Sequence, residues 1–379
     1  ASDGIPIVAE VSDEDVAASV RTLFSGTLSI VNSDAVVAEL TAQACRQRGL
    51  SWVFRELLDF DGDEIYFDSF PTLTGRSYLE AQLAFETSAL MGVLSTDGDL
   101  TLNPAPTTVL NDGDQLIGIA SDDSTFVCGT VGTTAARQFV ATSDDGQREL
   151  RRVVLVGWSN LGPRVVSELD DFLGSETTLE IVVDPAVANV DQVRRSVNVN
   201  NVTLQVVADD GRPEQVAQRI AERDFDEVIV LGRRDGISVE EADADTLLTL
   251  LAFNNLAKRE GLTGVRIVAE MLQQKHAPLA QATGADDFIV SDELTSLMVA
   301  QLSENHELDR VFRNLFDQGG STIEIVKAER YGAHSATCFA DVVVAASALG
   351  HSALGYLRDD SGDIVLNPPK TEQLALAAS

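Results

Sequence analysis

The sequence predicts an α/β protein in which Rossmann-like, doubly wound parallel-sheet domains are duplicated and each is followed by a small α+β lobe. Three observations lead to this prediction. Strings of residues recur in the same order along the chain. From Arg151, short apolar runs alternate with amphipathic, helix-like runs, which implies parallel strands joined by right-handed crossovers. After Gly320 the pattern changes to short strands, turns and one short helix.

Internal duplication is the strongest of these signals. Four strings carry it: IVAE at residues 7 and 267, SD at 33 and 291, VFRELLD at 53 and VFRNLFD at 311, and GDLTLNP at 98 and GDIVLNP at 362. The offset is 258 at Val53 and 264 at Gly98, and the order is kept. The second copy begins near Leu150, whereas Ala1 corresponds to about residue 261 of that copy. We therefore expect roughly 110 further residues ahead of Ala1 in the parent protein.

The second copy supplies the clearest elements. Runs rich in β-branched residues predict six strands, which begin near residues 151, 179, 202, 226, 265 and 287. Apolar residues at helical spacing predict helices over about 161–172, 214–225 and 242–260. In the lobe that follows, STIEIVKAE (321–329) predicts a strand, residues 338–349 predict a helix, and residues 355–368 predict a hairpin.

These patterns divide the chain into five segments. The predicted segments are the carboxyl-terminal half of a first Rossmann-like domain (1–60), a first small lobe (61–121), a linker (122–149), a second Rossmann-like domain (150–319) and a second, truncated lobe (320–379).

Composition excludes several classes of function. The formal net charge of −33 would repel phosphates, so we expect no nucleic-acid partner. Three widely spaced cysteines indicate reduced thiols rather than a zinc site or disulfides. The four histidines lack metal-ligand spacing, and there is no nucleophile elbow, P-loop or CxxC motif. The sequence therefore favours a protein that is not an enzyme.

The best candidate for a nucleotide site is the turn G157-W-S-N-L-G162 after the first strand of the second copy. Gly157 and Gly162 stand where the first and third glycines of GxGxxG belong, while Ser159 replaces the middle one and Asn160 follows it. Asp184 ends the second strand, where an acid could bind a ribose. Asp209 ends the third strand, where it could line a ligand or cation site or cap the following helix. A tight turn with structural glycines remains the alternative.

A second candidate site is the acidic turn DFDGDE at residues 59–64. Four of its side chains could bind calcium: Asp59, Asp61, Asp63 and Glu64. Compared with an EF-hand, however, glycine stands at position four rather than six, and position twelve is Phe70. A solvated acidic turn ahead of a strand is the alternative.

Several strings resemble one known family. VVLVGWSNLGPRVVSELDDFL, IVAEM followed by GADDFIVSDEL, and SWVFRELLDFDGDEIYF resemble the tandem RCK (TrkA-N/TrkA-C) domains of CASTOR/POLLUX-type ion channels, including their bacterial relatives. The resemblance covers nearly the whole chain. It implies a gating ring of four chains on the cytoplasmic face of the membrane, coupled to a transmembrane pore in the same parent chain. It also implies calcium or a nucleotide such as NAD or ATP as the ligand.

Two other hypotheses remain open. One is a soluble NAD(P)-dependent enzyme with an appended lobe, for which no proton-transfer residue is evident. The other is a separate TrkA-like regulatory subunit of a potassium-uptake system.

Overall fold

The computed structural model describes residues 7–24, 28–60, 62–129, 151–209, 212–262, 264–316, 319–331, 338–358 and 363–374. The chain divides into two compact units. The first contains residues 1–52, 147–306 and 316–318, and the second contains residues 53–146, 307–315 and 319–379. Each unit therefore combines parts of both copies. The five segment boundaries given above remain predictions.

The first copy contains a small parallel sheet, three helices and an antiparallel lobe. Its elements are β1 (Ile7–Glu10), α1 (Glu14–Leu23), β2 (Leu28–Val31), α2 (Ser33–Arg46), α3 (Leu50–Leu58), β3 (Glu64–Asp68), α4 (Tyr78–Ala84), β4 (Ser88–Leu94), β5 (Leu100–Leu102) and β6 (Gln115–Ala120). β1 pairs with β2 in parallel. The lobe sheet is antiparallel and has the order β3-β6-β4-β5.

The second copy alternates strands and helices as predicted. Its elements are β7 (Arg152–Val156), α5 (Gly162–Phe172), β8 (Thr178–Val183), α6 (Val190–Ser196), β9 (Thr203–Ala208), α7 (Pro213–Glu222), β10 (Glu227–Val230), α8 (Val239–Glu260), β11 (Arg266–Met271), α9 (Ala277–Ala282), β12 (Asp287–Val290), α10 (Ser291–Glu304), α11 (Leu308–Phe316), α12 (Phe339–Ser347), β13 (Gly355–Leu357) and β14 (Ile364–Leu366).

The central sheet of the first unit confirms the doubly wound prediction. Its six strands are parallel and lie in the order β12-β11-β10-β7-β8-β9. The order reverses between β7 and β10. In open α/β sheets, ligands bind at this reversal, beyond the carboxyl ends of the strands. The turn at residues 157–162 follows β7 and therefore lies at that point.

Helices of the first copy pack within this unit as well. α2 packs against α5, β11 and β12, while α10 packs against β1 and β2. The amino end of α2 is fixed by Asn32, whose Oδ1 accepts a hydrogen bond from the N–H of Ala35 at 2.9 Å. The cap places Asp34 in the first turn of α2, at the same edge of the unit as the turn after β7.

The second unit contains both lobes. Aromatic rings fill the core of the first lobe, with Phe70 edge-on to both Phe85 and Phe126. Phe126 belongs to the predicted linker, of which residues 130–149 lie outside the described part of the chain. The lobes exchange equivalent contacts. Asn103 donates to the carbonyl of Gly350, and its counterpart Asn367 donates to the carbonyl of Thr87, as expected for duplicated modules.

The prediction of a strand over residues 321–329 is wrong. Residues 321–327 form no helix or strand, and a short 3-10 helix covers Ala328–Tyr331. In the first lobe the equivalent strand, β3, pairs only with β6, and no described residue of the second lobe supplies an equivalent of β6. A strand needs a neighbour to satisfy its backbone groups, so local sequence preference alone did not produce one here. The predicted hairpin is present as the antiparallel pair β13–β14.

Candidate functional site

The two glycines of the turn after β7 each have a packing role within the chain. Gly157 has φ of 89°, and a Cβ there would lie 2.5 Å from the carbonyl oxygen of Leu231, beyond β10. A Cβ on Gly162 would lie 2.7 Å from the ring of Trp158. Both positions therefore require glycine whether or not a phosphate binds.

The rest of the turn is also occupied by contacts within the chain. Ser159 is buried, its carbonyl accepts the N–H of Gly162 at 3.0 Å, and the second residue of α5, Pro163, offers no N–H. Asn160 donates to the carboxylate of Asp34 at 3.4 Å. The sequence prediction of a nucleotide at this turn stays a prediction, and the alternative of structural glycines explains the same residues.

A buried ionic network lies at the carboxyl ends of β10, β11 and β12, beside the crevice expected between β7 and β10. Its centre is Glu270, at the carboxyl end of β11, whose side chain is 0% exposed. Glu270 accepts hydrogen bonds from Gly232 N (2.9 Å), Ser291 Oγ (2.8 Å) and two nitrogens of Arg234, of which Nε lies at 3.1 Å. Arg234 also contacts Asp34 through Nη1 at 3.2 Å. One guanidinium thus joins a carboxylate from each copy.

Sequence reasoning did not select the residues of this network. Asp34 and Arg234 are 200 positions apart in the chain and meet only because α2 packs on the second Rossmann domain. A signal was nevertheless present. Glu270 lies in the repeated IVAE string, and Asp34 lies in the repeated SD string. Repeated polar residues inside apolar repeats could have suggested a shared ionic contact.

Asp184, predicted beside a ribose, and Asp209, predicted to line a ligand or cation site or to cap a helix, both have contacts within the chain. Asp184 follows β8, and its Oδ1 accepts the N–H of Ala186 at 2.8 Å, which caps the turn. Asp209 follows β9 and pairs weakly with Arg219, with 3.9 Å between Oδ2 and Nη1. The other oxygen of Asp209 is buried and accepts no hydrogen bond. The structure places both acids at the carboxyl edge of the sheet, as the sequence predicted.

The acidic turn after α3 brings carboxylates together. Burial and the nearby charges of Asp59 and Asp63 raise the pKa of Glu56, and burial raises the pKa of Asp63 against a hydrogen bond from Asn367. The predicted ligand Glu64 instead accepts the hydroxyl of Tyr66 at 2.7 Å.

Asp61, also predicted as a ligand, lies outside the described residues. Across the described ranges, no three histidine, cysteine or acidic side chains are arranged to hold a metal ion. Calcium binding at this turn therefore stays a prediction.

Comparison with known proteins agrees with the resemblance inferred from sequence. Residues 34–133 match a family described as Castor and Pollux, part of voltage-gated ion channel. The chain is 23% identical over 403 residues to the probable ion channel POLLUX of Arabidopsis thaliana, covering 97% of this chain and 49% of that protein. It is 24% identical over 404 residues to the probable ion channel CASTOR of Oryza sativa subsp. japonica, covering 96% of this chain and 45% of that protein.

The fold matches a solved gating ring. The human SLO3 gating ring aligns with a TM-score of 0.70 and 12% identity, covering 97% of this chain and 79% of that one. The predicted similarity to CASTOR/POLLUX-type channels and the predicted RCK-like fold are thus confirmed. The chain spans about half the length of the curated relatives it matches. In the part of the chain that the structure describes, every helix is too short or too polar to cross a bilayer.

Proposed function

Because the similarity to ion channels extends over nearly the whole chain, we propose that residues 1–379 are a ligand-sensing regulatory module of a cation channel. The 97% coverage by a channel relative, together with the gating-ring fold, is the observation that carries this proposal. The module lies at the cytoplasmic face of the membrane, in a ring of four chains coupled to a pore in the parent chain. Relatives that are named ion channels favour this function over a dehydrogenase.

The physical basis of regulation is differential binding. A ligand shifts the ring between two states only to the extent that it binds one state more tightly than the other. Each unit of this chain is built from both copies, so a ligand that alters one copy also alters contacts made by the other. This arrangement supports coupling of a binding event to movement of the whole module.

Charge favours a cation as the ligand. The chain carries a net charge of −33, and the arginine beside the crevice is already paired with two carboxylates. Asp59 and Asp63 repel the carboxylate of Glu56 at the acidic turn, and a bound divalent cation would relieve that repulsion. We therefore propose Ca²⁺ as the ligand of this turn. NAD or ATP at the turn of residues 157–162 is the alternative.

Isothermal titration tests the ligand. The chain is titrated with Ca²⁺, with Mg²⁺ as the control for ionic strength, and with NADH and ATP in parallel. We expect saturable Ca²⁺ binding that is lost in the Asp59→Asn/Asp63→Asn variant. The matched control is Asp97→Asn/Asp99→Asn, which removes the same charge from an exposed turn of the same lobe. Binding that survives in the first variant would place the cation elsewhere, and binding of nucleotide alone would favour the crevice.

Light scattering tests the ring itself. We expect a tetramer at high protein concentration, in the presence or absence of Ca²⁺. A monomer under all conditions would contradict the ring without bearing on ligand binding. A TrkA-like subunit would also form a ring. Hydrophobic spans in the parent gene distinguish the channel from that alternative.

A further inference from the structure

A cluster of ionisable groups lies at the opposite edge of the central sheet from the crevice. The amino ends of parallel strands lie at one edge of the sheet. At this edge lie Glu227 at the start of β10, Arg266 at the start of β11, and Asp286 and Asp287 at the start of β12. The corner between α2 and α3, residues 45–51, lies against this edge. We call the cluster and the corner together the seam. All of its residues belong to the first unit.

Polar contacts hold the corner against the sheet edge. Asp287 accepts hydrogen bonds from Gly49 N at 2.6 Å and from the hydroxyl of Ser51. Arg266 donates to the carbonyl oxygen of Cys45. Arg48 pairs with Asp286 at 3.4 Å, although its side chain is 73% exposed. The corner is therefore attached mainly through the Asp287 carboxylate and the partly buried Arg266 guanidinium.

Charge within the seam is unbalanced. Glu227 has a side chain that is 1% exposed, and its Oε2 lies 2.8 Å from Arg266 Nε, but neither carboxylate oxygen accepts a well-aligned hydrogen bond from the described residues. The charges of Asp286 and Asp287 also act on Glu227, and the Cys45 thiol is fully buried near Glu227 and Asp287. Three carboxyl groups thus lie near one partly buried cation, Arg266, which pairs with Glu227, and Arg48 is an exposed second cation.

Burial and this imbalance of charge raise the pKa values of Glu227 and Asp287 towards cellular pH. Burial raises the pKa of Glu227 to about 8, against the attraction of Arg266 and with the help of Asp286 and Asp287. Burial raises the pKa of Asp287 to about 6, against its hydrogen bonds from Ser51 and Gly49. Burial likewise raises the pKa of the Cys45 thiol, so that this group stays neutral.

We propose that the seam is a proton-dependent latch, in which proton uptake by Glu227 and Asp287 holds the α2–α3 corner on the sheet edge and proton loss releases it. The direction follows from linkage. The docked state keeps both carboxyl groups out of water, and for Asp287 this burial outweighs the hydrogen bonds from Ser51 and Gly49, which favour the ionised form. The docked state therefore binds protons more tightly than an undocked state in which water solvates both groups. Docking is therefore strongest at acidic pH and weakens as pH rises through the docked pKa values. The inference does not depend on the proposed function.

Labelling of Cys45 measures the release directly, because its thiol is fully buried when the corner is docked. The whole chain is used in a Cys128→Ser/Cys338→Ser background, which leaves one thiol. Cys45 is alkylated with an uncharged reagent, and protection is the alkylation rate of the urea-unfolded chain divided by that of the folded chain at the same pH. This ratio removes the effect of the thiolate fraction. Each unit of pKa difference between the two states changes the opening equilibrium tenfold. We expect protection to fall at least about tenfold from about pH 5.5 to about pH 8.

Variants assign the effect to the two carboxyl groups. Glu227→Gln imitates the protonated side chain and should keep protection high at about pH 8. Asp287→Asn should reduce the part of the change in Cys45 protection that occurs at lower pH. Glu176→Gln, an exposed glutamate of the same unit, should behave like the parent protein. Protection that does not depend on pH would overturn the proposal. It would also be overturned if Asp287→Asn and any folded Glu227→Gln protein both kept the full pH dependence.

Discussion

Arg234→Met tests whether the ionic network beside the crevice joins the two copies. The change removes the only guanidinium that contacts Glu270 and Asp34 among the described residues, while methionine keeps most of the apolar stem. Glu270 is 0% exposed and would keep only two neutral donors, Gly232 N and Ser291 Oγ. An uncompensated buried charge of this kind typically costs about 3–5 kcal/mol of unfolding free energy.

Most of that loss should come from the charge left on Glu270. Adding Glu270→Gln keeps an oxygen for the two neutral donors and removes the charge. The double variant should therefore be more stable than Arg234→Met alone by about 2 kcal/mol. Asp34 is partly exposed and can be solvated, so it contributes less to the loss.

Urea unfolding followed by tryptophan fluorescence measures these free energies in the relevant unit. The chain has two tryptophans, Trp52 and Trp158, and both belong to the first unit. The matched control is Arg259→Met, which removes an arginine that is 73% exposed and should change stability by about 0.5 kcal/mol or less. A loss below about 1 kcal/mol for Arg234→Met, or a double variant less stable than the single one, would refute the reasoning.

Three further substitutions probe other parts of the structure. Gly157→Ala should lower the free energy of urea unfolding by about 3 kcal/mol, because φ is positive there and a carbonyl oxygen lies 2.5 Å from the new Cβ. The control Gly236→Ala, also at positive φ but in open space, should lower it by about 1 kcal/mol. Burial acts to raise the pKa of Asp170, but three backbone N–H donors outweigh it and hold that pKa below 3.8. The stability that ionised Asp170 contributes is therefore present above pH 3.8 and is lost as pH falls through the lower folded pKa. Asp170→Asn should lower the unfolding free energy by about 2–4 kcal/mol at neutral pH and weaken its dependence on acidic pH. The control Asp171→Asn, at an exposed position, should do neither. Burial lowers the pKa of Lys370 to about 8 from 10.5, so the unfolded chain binds more protons between these values and stability rises with pH there. Lys370→Met should remove that rise in calorimetric midpoints, and an unchanged rise would exclude Lys370 as its source.

The duplication and the central sheet could be predicted from the sequence because their signals are local or repeated. Six apolar runs, with helix-like runs after the first, third and fourth, are enough to predict parallel strands in a doubly wound sheet. Gly157 and Gly162 were also visible as a turn after the first strand. The resemblance to channel proteins depended on three contiguous strings, of which only the IVAE and VFR parts recur in both copies. Apart from the duplication, this information lies within windows of a few tens of residues.

The tertiary structure alone decided which distant groups meet. Arg234 joins Asp34 and Glu270, and Cys45 lies beside Glu227, because α2 of the first copy packs on the sheet of the second. The same holds for the strand that did not form at residues 321–327, since strand formation depends on a partner rather than on local preference. Burial moves pKa values and fixes ion pairs only after the chain has brought such groups together, so a sequence read in local windows cannot show them.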